Sequence, residues 1–525
     1  MDDLSADLLV EGTLPRAWAA RWREAPDGRA LADDGWSWMP NRELDELTAR
    51  AASRLRELGL EPGDRIIVSG ATRFELVVAH VGALRAGLTV VPVNPTLTRS
   101  ELDQLWAVAK PRAVVAGDHH QLFAGTELPG DWGLDRVGPF SGDVADRSER
   151  RADGLALALT VDELFDLLTD GLDSWWSRPP DASVELDAAD PDDVALLAFT
   201  SGTTGRPKGV PLTHANLLAG AEALRRAWAW SPADCLLLSL PLFHMHGLGV
   251  GIHGTLLAGA SAVLFERFEP DAIVRAAGRR DATMFFGVPT MYSRLVDTPG
   301  VERLGRLRLC VSGSAPLSAE LHRRIHEVTG QVVLERYGMT ETVMLTSNPL
   351  DGARRPGTVG VPLPAVDVRL DAETNGIEVR GPNVFGGYLD QPEANASAFT
   401  PDGWFRTGDI GRLDDGYLRI VGRAKDLIIT GGYNVYPAEI EEVLRGHPGV
   451  VDAAVVGEPS EEWGEVIVAH LEVVAGAEPD LDAVARRCVE RLASYKRPRH
   501  FHLTTALPRN ALGKVQRDRL APPEP

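Results

Sequence analysis

The chain has little cysteine, little lysine and no long apolar run. Its 525 residues hold three cysteines, Cys235, Cys310 and Cys488, far apart and without a CxxC pair. A disulfide framework or a cysteine-based zinc site is therefore not expected. No stretch approaches 18 uninterrupted apolar residues, which speaks against a membrane span. Met1-Asp2-Asp3-Leu4-Ser5-Ala6-Asp7 has no basic region ahead of an apolar run, so the expectation is a soluble, cytoplasmic protein. Positive charge is short as well. Lys+Arg number 54 against 75 Asp+Glu, a net charge of −21, which argues against bulk attraction to nucleic acid or anionic lipid. Only five of those basic residues are lysine: Lys110, Lys208, Lys425, Lys496 and Lys514. Where arginine is the default, each compact ammonium asks for a reason of its own.

What is present is globular, with 44% hydrophobic and 25% charged residues. From Asp64 to about residue 320, short apolar runs alternate with helical patterns. Arg65–Ser69, Leu88–Val91, Ala113–Ala116, Val194–Thr200, Leu236–Leu240, Ala262–Phe265, Thr283–Gly287 and Leu307–Ser312 read as strands, with helices such as Phe74–Arg85 and Arg99–Ala109 between them. That rhythm predicts parallel sheets covered on both faces. Signals weaken between His119 and Asp193, apart from a faint helix at Val161–Leu168. Beyond Pro356, Gly- and Pro-punctuated short strands suggest a small β-barrel. After Gly422, a helix at Tyr436–Arg445, strands at Val450–Val456 and Val466–Val473 and a helix at Leu481–Leu492 suggest an α+β unit. The expected fold class is α/β: a large N-terminal domain of two doubly wound sheets plus a small β-barrel subdomain (1–422), followed by a small mobile α+β C-terminal domain (423–525).

The sharpest motif is Thr200-Ser201-Gly202-Thr203-Thr204-Gly205-Arg206-Pro207-Lys208-Gly209, placed after a strand. Glycines and hydroxyls at this density can turn several N–H and O–H groups toward one anion, so it reads as a phosphate loop. It is not a Walker A loop, because Gly209 follows the lysine. Tyr337-Gly338-Met339-Thr340-Glu341 sets a hydroxyl beside a carboxylate, suited to a phosphate oxygen and to Mg²⁺. Arg406-Thr407-Gly408-Asp409 offers a carboxylate for ribose hydroxyls, or an Asx turn. Two other patterns carry less: His244-Met245-His246 lacks a third clustered metal ligand, and Gly249-Val250-Gly251-Ile252-His253-Gly254 fits GxGxxG without opening a βα unit.

The order of the phosphate loop, YGMTE, RTGD, GRAKD, GGYNVYPAEIE and Pro508-Arg509-Asn510-Ala511-Leu512-Gly513-Lys514 resembles the acyl-adenylate-forming superfamily over about residues 30–520. Lys208, Lys425 and Lys514 fall on positions where that superfamily uses lysine. The resemblance implies ATP, Mg²⁺ and coenzyme A as participants, and two steps: adenylation of a carboxylate with release of pyrophosphate, then attack by a thiol. It implies that Lys514 bridges the acid and the α-phosphate, with Thr340, Glu341 and His244 also in the catalytic set and Glu341 on the metal. Thr200, Ser201, Gly202, Thr203, Thr204, Gly205 and Lys208 would hold phosphate. Gly313, Ser314, Ala315, Glu335, Arg336, Tyr337, Gly338 and Met339 would enclose the nucleotide, and Asp409 and Arg423 its ribose. Lys425 would be the hinge, and Gly431 and Gly432 would line the CoA path.

Only eleven residues follow Lys514, too few for a carrier protein in cis, so CoA is the expected acceptor; Gly171-Leu172-Asp173-Ser174 imitates a phosphopantetheine site but sits inside the weak connection. Between Arg491 and Arg519 eight Arg/Lys stand against one acid, Asp518, a possible landing site for CoA phosphates or simply a solvated surface. LFHMHGL (242–248), GVPTMYSR (287–294), VSGSAPL (311–317) and ERYGMTET (335–342) resemble malonyl-CoA and methylmalonyl-CoA synthetases in particular. That implies Arg294 and Ser314 on the distal carboxylate of a short dicarboxylic acid, with His244, Met245 and Gly287 around the acyl group. Met245 and Leu345 depart from that pattern. A medium-chain or aryl acid is the alternative substrate, and a luciferase-like oxidative enzyme the alternative class.

Overall fold

A computed structural model of the chain describes residues 3–117, 134–136, 156–160, 184–200, 207–460, 462–474, 479–510 and 513–520. The expectations for Ser201–Arg206, 161–168 and 171–174 lie outside those residues.

The chain builds a mixed α/β fold on two large sheets. One has nine strands in the order Val361–Pro362, Thr346–Ser347, Leu334–Tyr337, Leu309–Ser312, Met284–Gly287, Cys235–Leu238, Ser261–Leu264, Arg29–Ala32 and Trp38–Pro40. Its interior is parallel, and antiparallel strands close both edges. The other has seven strands: Leu134–Arg136, Ala156–Thr160, Ala113–Ala116, Arg65–Ser69, Thr89–Pro92, Val194–Thr200 and Lys208–Thr213. Between the sheets lies the main core. The helix Phe74–Arg85 is buried from Glu75 to Arg85, which explains an apolar run with no polar face.

Two departures from the sequence reading have local causes. Lys208–Thr213 is a strand, paired antiparallel with Val194–Thr200, where the sequence suggested loop. Gly209 and Pro211 hide the alternation of buried Val210 and Leu212, and Pro211 is tolerated because this strand is an edge. The sequence predicts a strand at Val332–Leu334 ahead of YGMTE, and the observed strand is Leu334–Tyr337, so Tyr337 belongs to the sheet.

The β-rich region is an open, four-stranded antiparallel half-barrel: Asp367–Leu370, Gly376–Arg380, Phe405–Asp414 and Tyr417–Arg423. The last hundred residues form a separate five-stranded sheet with helices Pro437–Arg445 and Leu481–Arg491 and a core of its own around Ile440, Val455, Leu471 and Val484.

Candidate active site

Cys235–Leu238, Met284–Gly287, Leu309–Ser312 and Leu334–Tyr337 run parallel and side by side, and the residues that follow them meet at their carboxyl edge. In open α/β sheets this edge leaves a crevice as the connections diverge. Gly287 lies opposite Ser312 and Ser312 opposite Glu335, which brings Gly313 beside Arg336. The Arg336 guanidinium fills the place of a side chain at 313: a Cβ there would stand 2.5 Å from its Cζ. Arg336 is 5% exposed, and its Nε and Nη2 have no hydrogen-bond partner among the described residues. Burial pushes its pKa down to about 9, which still leaves a cation at neutral pH. Enclosing an unpaired ion costs several kcal/mol, on the order of the effective desolvation penalty.

Beside it, Ser314 adopts φ +69° and places its Oγ 3.2 Å from His246 Nδ1. A left-handed conformation at a residue with a side chain costs about 1–3 kcal/mol and marks a site that the surroundings enforce. Burial, then the Arg336 charge, holds the His246 pKa well below its usual value, and its Nε2 also has no partner among the described residues. His244 lies half-buried against Phe243, with ring centroids 4.6 Å apart, and burial pushes its pKa down to about 4. His246–Ile252 is a π-helix that passes directly into the helix His253–Leu257, so the GxGxxG pattern is helical and no dinucleotide turn.

Arg294 stands on the helix Pro289–Leu295, exposed, with its guanidinium 5.0 Å from the centre of the Phe268 ring. Tyr292 and Leu295 take the buried face of that short helix and turn residue 294 outward. The buried cation beside Gly313 and His246 is Arg336.

On the other side, Tyr337 donates its O–H to Asp409 Oδ2, and Arg423 Nε stands 3.0 Å from Asp409 Oδ1. Asp409 lies directly opposite Arg423 in the half-barrel, so RTGD is strand with Gly408 at φ +75°, and neither an isolated glycine turn nor an Asx turn. Glu335 is buried, accepts the Gly357 N–H at 3.2 Å, and is pushed up to about 7 by burial. Gly338 and Met339 lead into the short turn Thr340–Thr342. There burial raises the pKa of Glu341, which accepts the Tyr388 O–H at 3.0 Å. The Lys208 ammonium lies 4.7 Å above the same Tyr388 ring, and Thr200 pairs with Lys208 across the strands. Tyr388 escaped the sequence reading; it ties the lysine that ends the phosphate loop to the carboxylate of YGMTE. A buried carboxylate beside a cation and a hydroxyl fits Mg²⁺, which takes one or two carboxylates and leaves its other positions to phosphate and water.

Tyr388→Phe keeps the ring under Lys208 and removes only the hydroxyl. The Mg²⁺ concentration for half-maximal ATP–pyrophosphate exchange should rise roughly tenfold, the equivalent of ~1.5 kcal/mol for a hydrogen bond to a charged group. Tryptophan-fluorescence titration with Mg²⁺ and a non-hydrolysable ATP analogue should show the same shift.

The C-terminal unit reaches this edge at Gly513. A Cβ on Gly513 would stand 3.0 Å from Thr290 Oγ1, just past the strand Met284–Gly287. Lys514 makes no ion pair among the described residues; burial first, then Arg423, pushes it down to about 8, while Asp409 pulls the other way. Lys425 sits in the turn Ala424–Asp426, directly after the half-barrel's last strand. Gly431 and Gly432, at φ +55° and +80°, form the two-residue turn of a hairpin, with Trp463 of the same unit against Gly431 and open space at Gly432. The basic stretch is no uniform anion surface. Arg509 pairs with Asp452 and Glu472, Arg517 with Glu441 and Asp426, and Lys496 with Glu439.

Residues 18–389 match the family model of AMP-binding enzymes, and 439–514 that of the AMP-binding enzyme C-terminal domain. The chain belongs to the AMP-binding enzyme family. Within that family it is an acyl-CoA ligase, an AMP-forming acid–thiol ligase that uses ATP, Mg²⁺ and CoA. It is similar to ATP-bound MatB from Rhodopseudomonas palustris, with 37% identity over 97% of this chain and 98% of that one and a TM-score of 0.83. It is also similar to a malonyl-CoA ligase in a ternary product complex with methylmalonyl-CoA and AMP, with 40% identity, 92% and 97% coverage and a TM-score of 0.62. A sulfoacetate–CoA ligase of Cupriavidus necator is 42% identical over 65% of this chain and 69% of that one. No helix among the described residues of this AMP-binding enzyme is long and apolar enough to cross a membrane.

Proposed function

We propose that this ligase activates a short dicarboxylic acid, malonate or methylmalonate, through its acyl adenylate to the CoA thioester. The observation that carries the reading is Arg336: a buried cation beside Ser314 and His246, with two of its nitrogens unpartnered among the described residues. A second carboxylate would pair with that guanidinium, whereas an alkyl or aryl tail would leave it desolvated without a counter-charge. The acids named for the similar proteins above, malonyl, methylmalonyl and sulfoacetate, each carry a second anionic group beyond the one activated.

In this reading Arg336 and Ser314 hold the distal carboxylate and direct the other toward the α-phosphate of ATP. Lys514 offsets the negative charge that grows on the α-phosphoryl oxygens as pyrophosphate leaves, and neither step needs a protein nucleophile. Asp409, already oriented by Tyr337 and Arg423, accepts from the ribose, and the Gly313-Ser314-Ala315 turn flanks the base. Lys208, Thr340 and Glu341 face the phosphates; Mg²⁺ bound there supplies charge neutralisation. The C-terminal unit (423–525) then turns about Lys425, which withdraws Lys514 and brings Gly431 and Gly432 to the thiol's path. The TM-scores support two arrangements: the product complex has the higher identity to this chain and the lower superposition.

ATP–pyrophosphate exchange over malonate, methylmalonate, butyrate, octanoate and coumarate tests the substrate. The two dicarboxylates should dominate; preference for octanoate or coumarate overturns the assignment.

The same site predicts a pH profile. Lys514 acts as a cation, and its pKa in the free enzyme is about 8, so kcat/KM for adenylation should fall on the alkaline side with a midpoint near 8. Bound phosphate favours the ammonium, so the limb in kcat should lie higher. Lys514→Arg, charged throughout, should lose the limb while running more slowly.

A further inference from the structure

We propose that Arg509 is the positioning residue that fixes Lys514 for adenylation; this rests on the role given to Lys514 above. Arg509 donates from Nη1 to the Gly513 carbonyl at 3.0 Å, one peptide unit before Lys514. Its Nη2 donates to Asp452 Oδ2 at 2.7 Å and Glu472 Oε2 at 2.8 Å. Those two acids stand directly opposite each other in the long antiparallel pair Val450–Ser460 and Gly464–Val473. Like charges in that relation repel, so the pair forms a seat that needs a cation between its members. Arg445 occupies the other oxygen of Asp452 at 2.6 Å, and the Leu507 N–H donates to Glu472 Oε2 at 3.1 Å, which leaves the seat little freedom.

The loop closes over this fork. Asn510 N–H donates to Lys514 O at 2.9 Å, Gly513 N–H to Asn510 O at 2.8 Å and Gln516 N–H to Pro508 O at 2.8 Å. Backbone bonds alone give a small hairpin free to pivot on the domain; Arg509 bolts it to the sheet. Arg517 does the same beyond Lys514, bonding Glu441 at 2.7 Å and Asp426 at 3.3 Å. A lysine side chain is long and flexible, so the position of its Cα decides where its ammonium can go. Arg509 meets the C-terminal sheet and its own loop, which makes it a positioning residue and not a catalytic one.

The test uses the full-length enzyme, with both half-reactions measured separately. Arg509→Met should slow ATP–pyrophosphate exchange ~10–100-fold, the usual cost of an ångström of misplacement, mainly in kcat. Thioester formation from supplied acyl adenylate should stay within about twofold, because Lys514 is withdrawn in that step. Arg509→Lys should recover part of the loss, since an ammonium fills the seat without the fork. In the Lys514→Ala background Arg509→Met should have no further effect, because its action passes through the lysine. Asp452→Asn and Glu472→Gln, which loosen the seat one acid at a time, should give smaller losses confined to exchange. Equal loss in both half-reactions, or an additive loss on top of Lys514→Ala, overturns the proposal while leaving the role of Lys514 standing. Full exchange activity in Lys514→Ala itself brings down both.

Discussion

Arg336→Met should remove most malonate turnover while leaving butyrate turnover unchanged or improved. In the native protein the guanidinium is enclosed against Gly313 and His246 with two nitrogens unpartnered among the described residues. A dicarboxylate repays that desolvation and a monocarboxylate does not, so the same side chain favours one acid and penalises the other. Truncating one member of such a desolvated pair typically costs ~2–5 kcal/mol, which is a loss of about 30- to several-thousand-fold in malonate kcat/KM. Methionine keeps the length and apolar contact of the stem, which limits the void. Ser314→Ala should act in the same direction by roughly tenfold or less, since one hydrogen bond is lost. Gly313→Ala should mimic Arg336→Met, because the added methyl displaces the guanidinium. Arg294→Ala should be nearly silent on malonate, given its exposed place over Phe268. A proportional drop on both acids, or loss of malonate activity in Arg294→Ala alone, would return the distal carboxylate to the outer helix.

Lys514→Ala should separate the two half-reactions. Removing one group that stabilises developing charge is typically worth ~10²–10³ in rate, and that loss should fall on adenylation. Thioester formation from supplied acyl adenylate should remain close to native. The geometry behind this is the approach of Gly513 to Thr290, which brings the backbone next to Lys514 to the carboxyl edge of the sheet. Equal losses in the two assays would make Lys514 a structural residue.

Much of the fold was legible because its signals are local. Arg65–Ser69, Phe74–Arg85, Arg99–Ala109 and Ala113–Ala116 end where the apolar runs and turn residues end. Arg29–Ala32 and Trp38–Pro40 were missed since four residues of mixed Arg, Ala and Leu carry no period, and only pairing with Ser261–Leu264 makes the first of them a strand. The site divides the same way. Motif order marked Glu341, Asp409 and Lys514; the resemblance gave Arg336 to the nucleotide and Arg294 to the acid, and the proposal for the distal carboxylate rests instead on the burial of Arg336 beside Gly313. Arg336 gains its environment from Gly313, twenty-three positions earlier in the chain, through strand register that no linear pattern displays. Tyr388 is likewise defined by two distant partners, Lys208 and Glu341.

The central claim, that Arg336 reads a second carboxylate, is tested most directly by a crystal structure with malonyl adenylate or a stable analogue bound. The account predicts both Arg336 terminal nitrogens, or Nε and one of them, within hydrogen-bond distance of the distal carboxylate, with Ser314 Oγ beside it. A distal carboxylate held at Arg294, or facing solvent with Arg336 still unpaired behind it, would contradict the account.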